Sequence, residues 1–137
     1  MNAPLPLHLR LLPGRFAVCR LAADAPLPVW VFHAGATYYS VTRTPDELSI
    51  VCDEDDVPPA VDRAERGWRA LQLRGPIPFE TLGVIAGLTA PLAAAGVPVF
   101  VLSTYDTDYM LVKERDLERA LPALAAVATV EREPGAR

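Results

Sequence analysis

The sequence predicts an α+β fold built from two related modules, and three observations support this prediction. The chain has 137 residues, of which 51% are hydrophobic, so it can bury one compact core or form two small modules that share one. Its second half reads strand, helix, strand, strand, helix, strand, which is the βαββαβ order of ferredoxin-like sandwiches. A shift of 61 residues lays Thr42–Asp55 over Ser103–Asp116 with matching strands, polar turns and acidic helix starts. We therefore expect tandem ferredoxin-like modules, each an antiparallel sheet with helices on one face.

The expected module boundaries follow from this repeat. Residues 1–65 form the first module, residues 66–133 form the second, and residues 134–137 are a tail. The first module is the degenerate copy, because its helices are short or replaced by Pro-rich loops such as the Pro-bounded segment Ala23–Gly35. The second module carries the clearer periodicity and defines the βαββαβ order.

The first half of the chain predicts strands separated by turns. Two alternating segments, Leu7–Leu12 and Phe16–Leu21, lie on either side of the turn pair Pro13-Gly14 and predict a β-hairpin. The other elements of this half are a short helix or an irregular buried run at Val29–Ala34, and strands at Tyr38–Arg43 and Leu48–Cys52. Cys19 and Cys52 each end an apolar alternation, and both are expected to be small buried core residues.

The second half predicts a fuller set of elements. Glu80–Ala95 has helical spacing and ends at Gly96, a typical residue after a helix, while Pro91 is expected to kink or split that helix. The remaining elements are strands at Trp68–Arg74, Pro98–Leu102 and Tyr109–Val112, a helix at Lys113–Val127 whose core face carries Leu117, Leu121 and Leu124, and an edge strand at Thr129–Glu131.

Charge and composition exclude several kinds of partner. The net charge is −4 with a pI near 5.1, and no Lys/Arg cluster offers the basic face that nucleic acid needs. The uncharged stretch Thr81–Leu102 is long enough for a membrane span, but Pro91, Gly96 and Pro98 argue against one helix there. The N-terminus lacks the pattern of a secretory signal, and the cysteines lack a CxxC spacing. We expect a cytoplasmic protein with neither a nucleic-acid nor a membrane partner.

The chain shows no catalytic or metal-binding constellation. None of the sequence motifs of nucleophilic hydrolases, zinc proteases, P-loop proteins or dinucleotide-binding proteins is present. His8 and His33 lie far apart in the chain, and the acidic run Asp53–Asp56 lacks the glycine and distal glutamate of a calcium loop. We therefore expect a protein that is not an enzyme and that carries neither a cofactor nor a metal.

Two segments predict a ligand groove instead. The loop "GPIPFETLG" leads into a helix whose first N–H groups are expected near Thr81 to Val84, and such a helix start attracts a carboxylate. The segment "STYDTD" supplies Asp106 and Asp108, which suit an ammonium group. Simpler roles remain open: Thr81 or Glu80 as a helix cap, and both aspartates as turn formers.

The blocks "STYDTDYMLV" and "APLAAAGVPVFVLST", with their order along the chain, mark a family resemblance. From about Tyr38 to Leu121 the sequence resembles bacterial tandem ACT-domain proteins and is similar to one half of the CASTOR-type arginine sensors of animals. A weaker counterpart covers Leu7–Leu21. The resemblance implies tandem ACT modules that are regulatory and that bind a free amino acid, or a related small metabolite, between modules.

The resemblance also implies a set of ligand-binding positions. They are Pro78, Thr81, Leu82, Gly83 and Val84 in the helix-start loop, Thr104, Tyr105 and Asp108 in the hairpin, and Pro98 and Val99 at the start of the facing strand. The arginine sensors carry an acidic residue where this chain has Thr81, a difference that weakens the case for arginine. They also have four modules where this chain has two, so a complete inter-module site requires a homodimer. The alternative is a ligand-free ACT-like adaptor whose sheet edge docks a partner protein.

Overall fold

The computed structural model describes residues 7–32 and 35–133. In chain order the strands are β1 (His8–Leu11), β2 (Phe16–Leu21), β3 (Ser40–Arg43), β4 (Leu48–Asp53), β5 (Ala64–Leu73), β6 (Phe100–Ser103), β7 (Asp108–Lys113) and β8 (Thr129–Arg132). The α-helices are α1 (Val84–Ala94) and α2 (Leu117–Ala125), and single 3₁₀ turns lie at Val29–Val31, Glu54–Asp56 and Glu114–Asp116. The predicted α+β class with antiparallel strand pairing is confirmed.

Contacts divide the described chain into two compact units. The first unit comprises Gly14–Trp68, and the second comprises the described residues on either side of it. Residues 7–13, which the sequence assigns to the first module, therefore belong to the second unit. The expected tail at 134–137 lies outside the described residues.

The first unit keeps the four-strand order of a ferredoxin-like sheet. Strand β4 pairs with β3 and β2, and β2 pairs with the first part of β5, all antiparallel. The core beside this sheet consists of small and branched side chains: Ala17, Cys19, Val31, Leu48, Ile50, Cys52 and Val57. No α-helix is present in the described part of this unit, which agrees with the expectation that this copy is degenerate.

The two cysteines are core residues, as their alternation predicts. Cys19 on β2 and Cys52 on β4 are each 1% exposed, and both are free thiols. Their mutual hydrogen bond lowers the pKa of Cys19, whereas for Cys52 the same bond together with burial raises the pKa. Both thiols therefore contribute to packing in the first unit.

The second unit contains an additional strand from the start of the chain. Strand β1 pairs antiparallel with β5, placing Leu9 opposite Leu73, and pairs parallel with β8 on its other side. Strand β7 joins β5 to β6. The predicted β1–β2 hairpin is wrong, because β2 pairs with β4 and β5 instead. Alternation identifies the buried face of a strand, here Leu9 and Leu11 at 0% exposure, but it does not identify the strand's partners.

Both helices begin later than the sequence predicts. The N–H of Thr81 donates to the carbonyl of Pro78 in a turn, and Gly83 has a left-handed φ of 77°, so the first α-helical bond of α1 runs from Gly87 to Gly83. Helix α1 then continues through Pro91 as one helix. Residues 114–116 ahead of α2 form a 3₁₀ turn rather than the predicted α-helix.

The charge-free stretch Thr81–Leu102 is divided between a loop, α1 and β6. Within residues 7–32 and 35–133, none of the helices has both the length and the apolar character that crossing a membrane requires. On α1 the side chains of Leu88 and Leu92 are fully buried, and they pack in one cluster with Leu124 of α2. The apolar character of this stretch thus serves the core of the second unit.

The two units share a repeat of 60 residues rather than the predicted 61. A shift of 60 lays β3 on β6, β4 on β7, and the 3₁₀ turn Glu54–Asp56 on Glu114–Asp116. It also pairs Thr44 with Thr104, and each of these threonines closes the turn between its two strands. The difference of one residue matters for the site, because it changes which side chains are equivalent in the two units.

Candidate ligand-binding cleft

A cleft of about 370 Å³ lies in the second unit. Its walls are the loop between β5 and α1 (residues 77–83), the first three residues of α1 (Val84–Ala86), and the hairpin that joins β6 to β7 (Ser103–Asp108). These are the two segments that the sequence predicts as a ligand groove. Strands β5, β6 and β7 are neighbours in the sheet, so they carry the loop and the hairpin to the same end.

The loop is fixed against the hairpin by a close backbone contact. The N–H of Ile77 donates to the carbonyl of Asp106 at 2.7 Å. A Cβ atom added to Gly75 would lie 2.8 Å from that same carbonyl oxygen and 3.0 Å from Cβ of Thr107. Only glycine fits at this position without displacing one wall of the cleft.

Replacing Gly75 with alanine is therefore expected to destabilise the protein. The new methyl group overlaps a backbone oxygen, and overpacking of this kind costs about 1–3 kcal/mol. Gly87→Ala is the matched control, since nothing lies within 4 Å of a Cβ there and alanine favours a helix by about 0.5–1 kcal/mol. Urea denaturation should show opposite signs for the two variants, and a destabilised Gly87→Ala with an unaffected Gly75→Ala would contradict the described geometry.

The hairpin turn is closed by threonines. The N–H of Thr104 donates to the carbonyl of Thr107 at 2.8 Å, and the hydroxyl of Thr104 accepts from the N–H of Thr107 at 3.2 Å. The hydroxyl of Thr107 donates to the carbonyl of Leu73 at 2.6 Å and ties the turn to β5. Asp106 contributes its backbone carbonyl to the contact with the loop. The side chain that closes the turn is that of Thr104, not that of an aspartate.

Asp108 places a carboxylate in the cleft. It is the first residue of β7 and lies opposite Ser103 of β6. The Ser103 hydroxyl donates to Oδ1 of Asp108 at 2.5 Å, which fixes the orientation of the carboxylate. Among the lining residues, all of which belong to the described chain, Asp108 is the one with a formal charge at neutral pH.

The start of α1 faces the same cleft with unpaired donors. The N–H groups of Val84, Ile85 and Ala86 precede the first α-helical bond, and no side chain caps this helix. Its first turn contains no acidic residue. The positive end of the helix dipole is therefore not neutralised within α1, and neither Thr81 nor Glu80 caps the helix.

Aromatic side chains form the rim of the cleft. The rings of Phe79 and Tyr105 meet edge to face with centroids 4.9 Å apart, one from the loop and one from the hairpin. They are 71% and 80% exposed, and neighbouring Leu82 is 93% exposed. Exposed apolar side chains in one place commonly mark a site of interaction.

The structure brings most of the predicted ligand positions together. Those that line the cleft are Pro78, Thr81, Gly83, Val84, Thr104, Tyr105 and Asp108. Leu82 is exposed outside the lining, and Pro98 and Val99 lie before β6, at the end of that strand opposite the hairpin. The structure locates these residues, and their roles as ligand contacts stay predictions.

Sequence reasoning missed several lining residues. They are Ile77, Phe79, Ile85, Ala86, Ser103 and Thr107. Ser103 matters most, because it holds the carboxylate of Asp108. The strand register was the signal that could have identified it, since a four-residue turn from Thr104 to Thr107 makes Ser103 and Asp108 a facing pair.

The first unit does not repeat the Ser103–Asp108 pair of this cleft at the equivalent positions. At the 60-residue shift, the buried Leu48 stands where the second unit has Asp108, and Arg43 stands in place of Ser103. The guanidinium of Arg43 donates to the carbonyls of Ala23 and Ala25. A three-residue 3₁₀ turn at Val29–Val31 replaces the helix start.

Comparison with known proteins places the chain in a family. Residues 63–126 match the family model of the ACT domain, and residues 14–60 match a separate model for an N-terminal domain. The human "Putative protein CASTOR3P" is 30% identical over 130 residues, covering 86% of this chain and 80% of that protein. This chain belongs to the ACT-domain family. Other ACT relatives are the "Cytosolic arginine sensor for mTORC1 subunit 1" proteins, of which the Bos taurus protein is 34% identical over 108 residues.

The extent of these matches differs. The match to the Bos taurus sensor covers 72% of this ACT-domain chain and 33% of the sensor, so the chain spans about a third of that relative's length. A solved structure of Agobacterium tumefaciens Atu0741 is 37% identical, covers 96% of both chains and has a TM-score of 0.86. The regulatory subunit of aspartate kinase from Thermus thermophilus, at 14% identity and a TM-score of 0.59, shares the fold.

Proposed function

We propose that this ACT-domain protein is a cytoplasmic regulatory protein, not an enzyme, that binds a free amino acid or a closely related metabolite in the cleft of its second unit. The observation that carries the proposal is the placement of one carboxylate and one uncapped helix start in the same cleft. The regulatory character of ACT relatives, including a protein named as an arginine sensor, supports it.

The cleft matches the two charges of a zwitterion. The N–H groups of Val84, Ile85 and Ala86 would bind the α-carboxylate, because free donors and the helix dipole both favour an anion. The carboxylate of Asp108, oriented by Ser103, would accept the α-ammonium in a charge-assisted hydrogen bond. A neutral ligand with one positive and one negative end thereby leaves no charge unpaired.

We further propose that the protein is a homodimer that completes this site. The two aromatic side chains of the rim, Phe79 and Tyr105, are exposed and available for contact with a second copy. Pro98 and Val99, which the resemblance places at the ligand, lie at the opposite end of β6 from the hairpin of their own chain. They would therefore reach a ligand only from a second copy, with the helix-start loop of one chain facing the strand start of the other.

A thermal-shift screen of the twenty amino acids tests the proposed function. We expect at least one of them to raise the Tm of the protein, because a ligand that binds only the folded state stabilises it by mass action. A screen in which none of the amino acids, nor close metabolites, changes the Tm would overturn the proposal. Size-exclusion chromatography with light scattering tests the dimer independently, and a monomer with or without ligand would overturn that part.

One ligand per chain is expected. The first unit has Leu48 in place of the ligand carboxylate and Arg43 bonded to its own loop, so of the two turn regions only that of the second unit has a carboxylate at the first residue of the following strand. Isothermal titration calorimetry should give a stoichiometry of one. The variant Arg43→Ala should keep that value, since it restores neither a carboxylate nor a helix start, and two ligands per chain in either protein would contradict this assignment.

The second candidate function is a ligand-free adaptor. The exposed apolar group Phe79, Leu82 and Tyr105 favours it, since such a patch suits a protein partner. An adaptor predicts an unchanged Tm in every amino-acid mixture. It also predicts that Leu82→Ala lowers the affinity for a partner protein that is retained in a pull-down without any amino acid present.

A further inference from the structure

The charge inventory of the cleft limits the ligand's side chain. A zwitterion brings one ammonium and one carboxylate, and the cleft offers one carboxylate and one set of free N–H groups. Among the polar lining side chains, Thr104 and Thr107 are engaged in the turn and with β5. The remaining hydroxyl side chains of the lining, those of Thr81, Ser103 and Tyr105, are uncharged. Once both ends of the zwitterion are paired, no lining residue carries a charge for a charged ligand side chain.

The rest of the lining is mainly aliphatic and aromatic. Ile77 and Phe79 come from the loop, Ile85 from α1 and Tyr105 from the hairpin. Phe79 and Tyr105 contact each other across the rim, so a ligand group that enters beneath them exchanges water for ring and aliphatic surface. Burial of apolar side chains against such walls is favourable, whereas a charged group loses hydration without gaining a partner.

Two exposed acidic residues adjoin these walls in sequence, Glu80 in the loop and Asp106 in the hairpin, and neither is part of the lining. Their carboxylates are therefore hydrated and do not supply the missing partner for a basic side chain. A basic ligand side chain that stacked on the rings of Phe79 and Tyr105 would likewise have no carboxylate partner, because Asp108 binds the α-ammonium of the ligand.

We propose that the ligand is an amino acid with an uncharged, apolar side chain, which packs against Ile77, Phe79, Ile85 and Tyr105. This inference rests on the proposed function and narrows its ligand class. Phe79, which the family resemblance did not mark, becomes a specificity-determining residue. The walls select the side chain, while Asp108 and the helix start bind the backbone part that all amino acids share.

Calorimetric titration of the full-length protein with two groups of amino acids tests this inference. The first group is leucine, isoleucine, methionine and phenylalanine, and the second is arginine, lysine, aspartate and glutamate. We expect the best apolar ligand to bind at least about 10-fold more tightly than any charged one. A charged amino acid that binds as tightly as or more tightly than the apolar group would overturn the inference and leave the proposed function intact. If none of the eight binds but another amino acid does, the inference fails alone; if none of the twenty amino acids nor close metabolites binds, the proposed function itself fails.

Variants at the rim separate specificity from general binding. Phe79→Ala should weaken the best apolar ligand roughly 10-fold while changing alanine, which has little side chain, less than about twofold. Val127→Ala is the control, because Val127 is an exposed apolar residue of the same unit and lies outside the lining. Equal weakening of both ligands by Phe79→Ala, or no weakening at all, would count against a specificity role. If arginine binds best and Glu80→Gln removes that preference, the loop carboxylate rather than the apolar wall determines the ligand class.

Discussion

Asp108→Asn is expected to lower the affinity for the amino-acid ligand at least about 10-fold and to reduce the rise in Tm that the ligand produces. The substitution removes the charge that pairs with the α-ammonium, and hydrogen bonds to charged groups contribute about 1.5–3 kcal/mol. The amide that replaces the carboxylate keeps an oxygen that can accept from the hydroxyl of Ser103, so the hairpin is retained. Calorimetry and thermal shift on the purified variant measure both effects.

Asp106→Asn is the matched control for this prediction. It makes the same chemical change two residues away, at a residue whose side chain lies outside the cleft. Asp106 contacts the loop through its backbone carbonyl, which the substitution leaves in place. Ligand binding should remain within about twofold of the unsubstituted protein, well below the effect of losing a charged hydrogen bond. Equal losses in both variants would mean that general negative charge near the hairpin attracts the ligand. An unaffected Asp108→Asn would remove Asp108 from the site.

Leu9→Ala is expected to destabilise the protein by about 3 kcal/mol, the largest effect on stability that we predict. Leu9 is fully buried in the middle of β1, which pairs with β5 on one side and β8 on the other. Truncation removes apolar contacts in the core of the second unit and leaves a cavity. The free energy of unfolding, measured by urea denaturation, tests the value.

His8→Ala is the control on the same strand. His8 precedes Leu9 and its side chain is exposed, so its loss should change the free energy of unfolding by less than about 0.5 kcal/mol. A loss below about 1 kcal/mol for Leu9→Ala would contradict the pairing of β1 inside the second unit.

The order of elements was readable from the sequence because it depends on local patterns. Alternation identifies β2, β4 and β7, and helical spacing identifies α1 and α2. The partners of β1 were not readable, since a short alternating segment beside a turn pair fits a hairpin as well as two separate pairings. The pairing of Leu9 with both Leu73 and Val130 arises from contacts distant in the chain.

The candidate site was readable where its residues are contiguous. The loop and the hairpin were found because each is a short polar or Gly/Pro-rich segment that follows an apolar strand. The start of α1 was placed too early, because the left-handed backbone of Gly83 and the Pro78–Thr81 turn are not distinguishable from the first turn of a helix by spacing alone. The contact of Ser103 with Asp108 depends on the register of β6 against β7, which the reading of single segments did not address.

Within the hairpin segment, turn closure and the cleft carboxylate come from different side chains. Both Asp106 and Asp108 fit turn formation, because aspartate commonly bonds the backbone of a turn. The structure gives the turn-closing bonds to Thr104 and leaves the carboxylate of Asp108 in the cleft. The same threonine chemistry at Thr44 in the first unit shows that the turn is a shared feature of the repeat, whereas the carboxylate at the start of the following strand is specific to the second unit.

The most direct test of the central claim is a titration of the ¹⁵N-labelled protein with the amino acid that gives the largest rise in Tm, followed by NMR. The account predicts saturable shifts of the amide signals of Val84, Ile85 and Ala86, which bind the carboxylate, together with those of residues 103–108. Amides of the first unit near Arg43 should stay unchanged. Saturable shifts confined to other surfaces, or unchanged signals at the start of α1, would contradict the assignment of this cleft as an amino-acid site.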